Sequence, residues 1–266
     1  MGNPVAHSKS PLIHRHFAEQ TGQKIHYQAI LVATDGFAAA VAGFRLQGGR
    51  GLNVTLPFKG EAFAMTAQCS GRARRAAAVN TLWFDGDGSN HGDNTDGIGL
   101  LRDLRSNDIG ITGQRLLILG AGGAVDGIIC ELLDQSPARL VVANRTRPRA
   151  KTLCDRHRLP GVELSAAGFP ELAGQCFDLV INGTSAGLQG VMPPIPPDVL
   201  APGACCYDLV YGPAAAPFTQ WAVAGGASTV LDGIGMLVEQ AAESFRIWHG
   251  VQPRTAGLIA RLRQTG

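Results

Sequence analysis

The sequence predicts an α/β fold in two domains, one of them doubly wound. Three observations carry this. Short apolar runs alternate with helix-patterned stretches from Arg115 onward. One of those runs leads directly into a glycine cluster, Gly120-Ala121-Gly122-Gly123-Ala124. The residues before Asp96 hold a second mixture of helix and strand patterns with their own turn signals.

The clearest strand is Arg115 to Leu119, an apolar run of the kind buried on both faces. After the glycines, Val125 to Leu133 reads as one helix with Ile128, Ile129, Leu132 and Leu133 on one side. A second strand runs Leu140 to Ala143 and ends in Asn144-Arg145-Thr146, followed by a helix through Arg149, Ala150, Leu153 and Cys154. Phe177 to Ile181 gives a third strand, ending in Asn182-Gly183-Thr184-Ser185. Ala204 to Val210 gives a fourth and Thr229 to Leu231 a fifth. Strand–helix alternation implies parallel pairing with right-handed crossovers, so this domain is Rossmann-like.

In the first domain, Ser10-Pro11 opens a helix reaching Thr21. Tyr27 to Val32 reads as a strand, Gly36 to Gln47 as a helix, and Gly51 to Thr55 as a strand stopping before Pro57. Asn80 to Phe84 turns at Asp85-Gly86-Asp87-Gly88 and returns through His91-Gly92-Asp93 as a hairpin. The segment from Gly233 to Gly266 is helical and has no strand partner, so on pattern alone it could pack on either domain.

Bulk properties narrow the function. The 266 residues suit one large or two modest domains. Charges nearly balance, at 23 basic and 21 acidic residues, which argues against a nucleic-acid or membrane partner and leaves a small anionic ligand open. The opening MGNPVAHSKSPLIH lacks a signal-peptide core, and no run reaches the roughly 20 apolar residues of a membrane span. The six cysteines have no CxxC spacing, as expected of reduced thiols in a cytoplasmic protein. The seven histidines show no metal-ligand pattern, so no metal site is expected.

Three constellations carry chemistry. Gly120 to Ala124 lies between a strand and a helix, where glycines permit a tight turn and let backbone N–H groups approach a pyrophosphate. Its G-x-G-G-A spacing departs from G-x-G-x-x-G/A, with Gly127 able to serve as the small packing residue. The next strand ends without the acid that would hold ribose hydroxyls in an NAD site; Arg145 and Arg149, one turn apart, could instead grip a 2′-phosphate, which selects NADP. The second constellation is Lys59 and Asp96. Lys59 follows the rigid turn Asn53-Val54-Thr55-Leu56-Pro57-Phe58, and Asp96 sits in Gly92-Asp93-Asn94-Thr95-Asp96-Gly97, where the first domain hands over to the second. A cleft there would suit a ligand, and a Lys–Asp pair could manage the proton that accompanies hydride transfer at a carbinol. The third is Ser8-Lys9-Ser10, two hydroxyls before a helix that can bind a carboxylate, although N-capping by Ser10 explains them equally.

Taken together, these segments resemble the shikimate dehydrogenase family. The matching pieces are GNPVAHSKSP (2–11), NVTLPFK (53–59), AVNTL (78–82), GDNTDGIGLL (92–101), GAGGA (120–124), NRT (144–146) with Arg149, NGTSAG (182–187) and DGIGMLVEQAA (232–242), in order along nearly the whole chain. The resemblance implies reversible NADPH-dependent reduction of 3-dehydroshikimate to shikimate in aromatic amino-acid biosynthesis, with Lys59 and Asp96 catalytic. It implies that Ser8 and Ser10 bind the substrate carboxylate and that Thr55, Asn80, Tyr211 and Gln240 contact substrate. Gly120, Ala121, Gly122, Gly123 and Ala124 would hold the pyrophosphate, and Asn144, Arg145, Thr146 and Arg149 would surround the 2′-phosphate. Leu209 and Gly233 would lie near the nicotinamide. It further implies a substrate domain of residues 1–96, joined by returning helices within 233–266, and an NADP domain of 97–232. Glycines 97, 99, 233 and 235 flank the expected crossings and could serve there as hinges or as packing devices. Small-molecule substrate is the expected partner, and a homodimer is allowed. Two rivals remain: an NAD-preferring quinate/shikimate dehydrogenase, against which Asn144-Arg145-Thr146 argues, and a non-catalytic shikimate-binding relative, against which Lys59 and Asp96 argue.

Some positions depart from the family's pattern. Met1 directly precedes Gly2 where a strand is usual, so the native start is expected upstream. Asp126 brings an acid into the first turn after the glycine loop, and Ala216 stands where a Thr is frequent.

Overall fold

The computed structural model describes residues 1–86 and 88–264. Asp87 of the expected turn, and Thr265 and Gly266 of the C-terminal segment, lie outside the described residues. The chain forms two compact units, Met1–Gly99 with Val238–Ala260, and Leu100–Leu237 with the residues from Arg261 on.

In chain order the first unit opens with α1 (Ser10–Thr21), α2 (Phe37–Leu46), β1 (Gly51–Asn53), α3 (Lys59–Ala64), β2 (Gln68–Cys69), α4 (Gly71–Ala76), β3 (Thr81–Phe84) and β4 (Asn90–Asp93). Its sheet runs β1-β3-β4-β2. The β1–β3 and β3–β4 pairs are antiparallel, while β2 joins β4 in parallel. Helix α1 keeps Ile13, His14, Phe17 and Ala18 buried and ends at Gly22, whose φ of 70° suits a residue without a Cβ. Phe37, Val41, Leu52, Phe58, Ala62, Ala73, Val79 and Leu82 form the core between helices and sheet. Short α3 and α4 were not expected from the sequence; each is a single six-residue stretch, too short for a helical period to register.

Tyr27 to Val32 does not form the expected strand. A strand needs a neighbour for its N–H and C=O groups. Here Gly2 makes an isolated bridge to Leu31, accepts from Val32 N–H (3.2 Å) and donates to Ile30 O (3.3 Å), while Val32 O takes the Asn3 side-chain amide (3.0 Å) in place of a ladder bond.

The second unit carries a six-stranded sheet in the order β10-β9-β8-β5-β6-β7, parallel throughout. Before it comes α5 (Asp96–Ser106). The elements that follow are β5 (Arg115–Leu119), α6 (Gly123–Asp126), α7 (Ile129–Leu133), β6 (Arg139–Ala143), α8 (Arg147–Arg156), β7 (Glu163–Ala167), β8 (Phe177–Asn182), β9 (Leu200–Asp208), α9 (Ala216–Ala224) and β10 (Thr229–Leu231). The chain closes with α10 (Ile234–His249) and α11 (Ala256–Gln264).

Three sequence expectations need correction here. Val125 to Leu133 is two helices, α6 and α7, because the turn tightens at Gly127–Ile128, where Ile128 N–H bonds Val125 O (3.1 Å). The strand expected at Ala204 to Val210 runs Leu200–Asp208, since a register shift between Phe177 and Leu179 on the partner strand lets the ladder run past Pro202 and Gly203. A sixth strand, β7, was missed: it pairs on one side only and buries just Leu164 and Ala167, so it lacks the apolar run of its neighbours. Among the described residues no helix is long and apolar enough to cross a membrane.

An aromatic cluster joins α1 to α10 inside the first unit. His14 is fully buried, stacks on Tyr27 at 4.2 Å and 9°, and sits among Phe17, Phe245 and Trp248. Trp248 Nε1 donates to Leu82 O (3.0 Å), and an added Cβ at Gly51 would come within 2.8 Å of that nitrogen, so glycine there is what lets the indole reach the strand. Neither ring nitrogen of His14 makes a well-formed hydrogen bond. Burial pushes its pKa down to about 3 from 6.5, with the nearby Asn53 side chain offsetting part of that effect. The unfolded chain therefore binds a proton that the fold excludes, so stability is whole above pH 6.5 and is lost as pH falls from 6.5 toward 3. Urea unfolding should show this residue steepening the pH dependence by at most about 1.4 kcal/mol per pH unit. His14→Phe should flatten that slope; an unchanged slope would assign the acid sensitivity elsewhere.

Candidate active site

In the first unit, the turn after β1 delivers Lys59 and the end of β4 delivers Asp96. Val79 N–H donates to Lys59 O (3.0 Å), Asn80 N–H to Asp93 O (3.0 Å), and Val54 N–H to Asn80 O (2.8 Å), so three chain segments converge on Asn80. Lys59 Nζ lies 2.5 Å from Asp96 Oδ2, with the side chains 19% and 9% exposed. The pair is thus shielded yet open at the ammonium end.

Asn80 is buried and holds the carboxylate. Its Nδ2 donates to Asp96 Oδ1 (2.7 Å) and Thr95 Oγ1 (3.0 Å), and its Oδ1 accepts from Thr95 N–H (2.9 Å). Gln240 Oε1 lies 3.5 Å from Asn80 Nδ2 and accepts from Thr95 Oγ1 at 3.3 Å. A second layer supports this one: Asn53 Nδ2 donates to Ser244 Oγ (2.9 Å), Tyr27 donates to Asn53 Oδ1 (2.8 Å), and Thr81 and Ser244 hydroxyls meet at 2.7 Å. Asp93, three residues before Asp96, takes two bonds from Arg72 (both 2.7 Å), and Arg72 reaches Glu243 (3.0 Å), three residues after Gln240. Thr95, Thr81, Asn53 and Ser244 were not singled out from the sequence. Thr95, Thr81 and Asn53 lie inside motifs that were quoted, but nothing local marks Ser244.

The remaining candidates divide. Ser10 does not cap α1: Lys9 occupies the cap, no side chain bonds there, and Ser10 N–H instead meets Ser8 Oγ at 3.3 Å. Burial raises the Tyr27 phenol's pKa and the nearby Ser10 side chain offsets part of that, which puts Ser10 close to the Asn53 layer that Tyr27 joins. Thr55 is exposed at the start of the Lys59 turn and accepts from Phe58 N–H through its carbonyl (3.0 Å). Tyr211 belongs to the second unit.

In the second unit, the strand ends gather at one edge of the parallel sheet. Gly120 has φ 101°, and a Cβ there would lie 2.9 Å from Gly183 O, so the backbones of two loops touch through glycine. At Gly122 and Gly123 an added Cβ meets nothing within 4 Å, which leaves open space along the loop. Asn144 Nδ2 donates to Thr146 O (2.9 Å) and Arg149 N–H to the same carbonyl (3.0 Å), shaping the turn into α8. Arg147 pairs with Glu171 (3.2 Å), whereas Arg145 and Arg149 are exposed with no acidic partner among the described residues. Two uncommitted guanidiniums beside an open glycine loop fit the phosphates of a dinucleotide.

Leu209 N–H donates to Asn182 O (2.9 Å) and Gly233 N–H to Val210 O (3.0 Å). Asn182 and Asp208 brace the two loops: Asn182 Nδ2 donates to Asp208 Oδ2 (3.0 Å) and Val210 N–H to Oδ1 (2.9 Å). Burial is the main cause that raises the Asp208 carboxyl to about 6. A Cβ on Gly233 would fall 2.3 Å from Leu209 O, a backbone atom that cannot swing away. Gly233→Ala should therefore cost about 1–3 kcal/mol in thermal unfolding, while Gly122→Ala should stay within about 0.5 kcal/mol. Equal effects would remove the close-packing argument.

A family model for the shikimate dehydrogenase substrate binding domain matches residues 1–82. Another, for shikimate / quinate 5-dehydrogenase, matches 103–190, and one for the shikimate 5'-dehydrogenase C-terminal domain matches 233–263. A shikimate dehydrogenase (NADP(+)) of Alkalilimnicola ehrlichii is 55% identical over 264 residues, covering 99% of this chain and 97% of the relative. An Ael1 enzyme from Pseudomonas putida superposes with a TM-score of 0.90 at 43% identity, covering 98% and 96% of the two chains. The shikimate 5-dehydrogenase of Thermus thermophilus, solved in complex with NADP(H) and shikimate, gives 0.86 at 31% identity, covering 99% and 97%.

Proposed function

We infer the reaction from membership: this chain belongs to the shikimate dehydrogenase family, and it is an NADP-dependent oxidoreductase that reversibly reduces 3-dehydroshikimate to shikimate. The observation that carries the reading to particular residues is the Lys59–Asp96 contact held by Asn80. When bound, NADPH supplies the hydride. Lys59 Nζ donates a proton to the substrate oxygen as its negative charge grows, and recovers it in the reverse direction. Asp96 keeps the ammonium in place through Oδ2 and offers its carboxylate to a neighbouring substrate hydroxyl. Asn80 fixes the carboxylate's orientation, and with Gln240 and Thr55 presents neutral polar groups suited to a polyol. Ser8 and Ser10 take the substrate carboxylate, and Tyr211 adds a phenol.

On the cofactor side, Gly120 to Ala124 receive the pyrophosphate. Asn144, Arg145, Thr146 and Arg149 surround the 2′-phosphate; the free state of the two arginines supports this. Leu209 and Gly233 border the nicotinamide, where their close backbone approach makes a firm wall. Residues 1–96 with the returning helices serve as the substrate domain, and 97–232 as the NADP domain. A cytoplasmic location belongs to the same proposal, supported by six cysteines that form no disulfide. Assembly as a homodimer is part of it as well.

Steady-state oxidation of shikimate, read as reduced-cofactor absorbance with NADP and NAD side by side, should show fast turnover with NADP and weak turnover with NAD; no turnover with either would overturn the assignment. Lys59→Ala should lower kcat by about 100-fold or more with KM for shikimate largely kept, and near-normal kcat would remove Lys59 from the proton transfer. Arg145→Ala should raise KM for NADP and barely change that for NAD; equal effects would mean that Arg145 does not read the 2′-phosphate.

A further inference from the structure

Asp126, the acid that departs from the family's pattern after the glycine loop, is answered within the second unit. Arg156 Nη1 donates to its Oδ2 at 2.6 Å, and His157 Nε2 meets its Oδ1 at 2.6 Å. The other nitrogen of that imidazole, Nδ1, lies 3.1 Å from Cys130 Sγ. With Nε2–H directed at the carboxylate, Nδ1 is left to accept the thiol proton. Sulfur, imidazole and carboxylate thus stand in the order of nucleophile, base and orienting acid.

The other five cysteines lack this. Among the described residues none has an imidazole on its sulfur. Cys154 donates to Ser165 O (3.4 Å), and burial pushes its thiol up to about 11. Burial pushes Cys205 and Cys206 up to about 12. Cys176 is exposed and donates to Asp198 O.

We propose that Cys130 is a modification site, a thiol activated by His157 and Asp126 for oxidation by hydrogen peroxide, and that its oxidation weakens the grip of the glycine loop on its ligand. Cys130 is buried at 4% exposure, which excludes bulky disulfides and alkylators and restricts the oxidant to one as small as hydrogen peroxide. His157 Nδ1 takes the thiol proton, and the sulfur attacks one peroxide oxygen. The S–O bond forms as the O–O bond breaks, and the departing hydroxide takes the proton from His157. The balance is Cys–SH + HOOH → Cys–SOH + H₂O: sulfur loses two electrons and peroxide gains them. The sulfur is buried with His157 Nδ1 at 3.1 Å, so the added oxygen competes with that contact. It displaces His157 from Asp126, which keeps Arg156 alone. The carboxylate left less compensated in the turn after Gly122–Gly123 opposes an anionic ligand. This last consequence rests on the NADP reading of the loop, whereas the thiol chemistry does not.

The test treats the full chain with hydrogen peroxide, unfolds it in dimedone and quantifies the adduct at each cysteine by peptide mass spectrometry. Cys130 should be labelled about 10-fold or more faster than Cys205 and Cys206, and both His157→Gln and Asp126→Asn should erase that advantage. KM for NADP should rise with the oxidised fraction and recover with dithiothreitol, and Cys130→Ser should keep activity while losing the sensitivity. Labelling of Cys130 no faster than of Cys205, or unchanged in both variants, overturns the activated thiol. Selective labelling with KM for NADP unmoved overturns its coupling to the loop.

Discussion

The side chain of Asn80 is the constraint on which the first unit's chemistry depends. A buried amide must satisfy its donors and its acceptor inside the protein, because each one left bare costs about 1–3 kcal/mol. Asn80 does so by binding Asp96 Oδ1, Thr95 Oγ1 and Thr95 N–H together. That leaves Asp96 one oriented oxygen for Lys59. The polar groups are therefore held before any ligand arrives, and the Lys59–Asp96 pair does not first have to assemble. Arg72 adds a brace from behind, because it ties Asp93 and Glu243, residues three positions from Asp96 and from Gln240.

The second unit uses backbone proximity where the first uses side chains. Gly120 against Gly183, and Gly233 against Leu209, bring loop backbones closer than any side chain would permit. Parallel strands β5, β8 and β9 end side by side, so their loops must share one edge of the sheet. Asn182 and Asp208 then lock two of those loops together. The cost is a buried carboxylate whose pKa is raised to about 6. Free arginines complete the picture: Arg147 is committed to Glu171, while Arg145 and Arg149 remain available to an anion.

Buried ionisable groups are handled in two ways within the first unit. Glu243 and Asp93 are neutralised by Arg72 and Arg246. His14 is instead kept neutral by its aromatic surroundings, which is why acid should act on the fold through that residue.

Much of this was legible in the amino-acid order itself. The parallel sheet announced itself because its central strands are buried on both faces and so read as continuous apolar runs. The glycine loop, Asn144-Arg145-Thr146 and the two motifs holding Lys59 and Asp96 were visible because each is local, its residues adjacent in the chain. Only the tertiary structure decided what depends on distant partners. β7 escaped notice because an edge strand buries little; Tyr27 to Val32 failed as a strand because pairing needs a neighbour, not a propensity. Thr81 with Ser244, Asn80 with Gln240, and His157 with both Asp126 and Cys130 are contacts across 27 residues or more. No local pattern encodes such contacts, since they arise only when the packing of helices against sheets brings those side chains together.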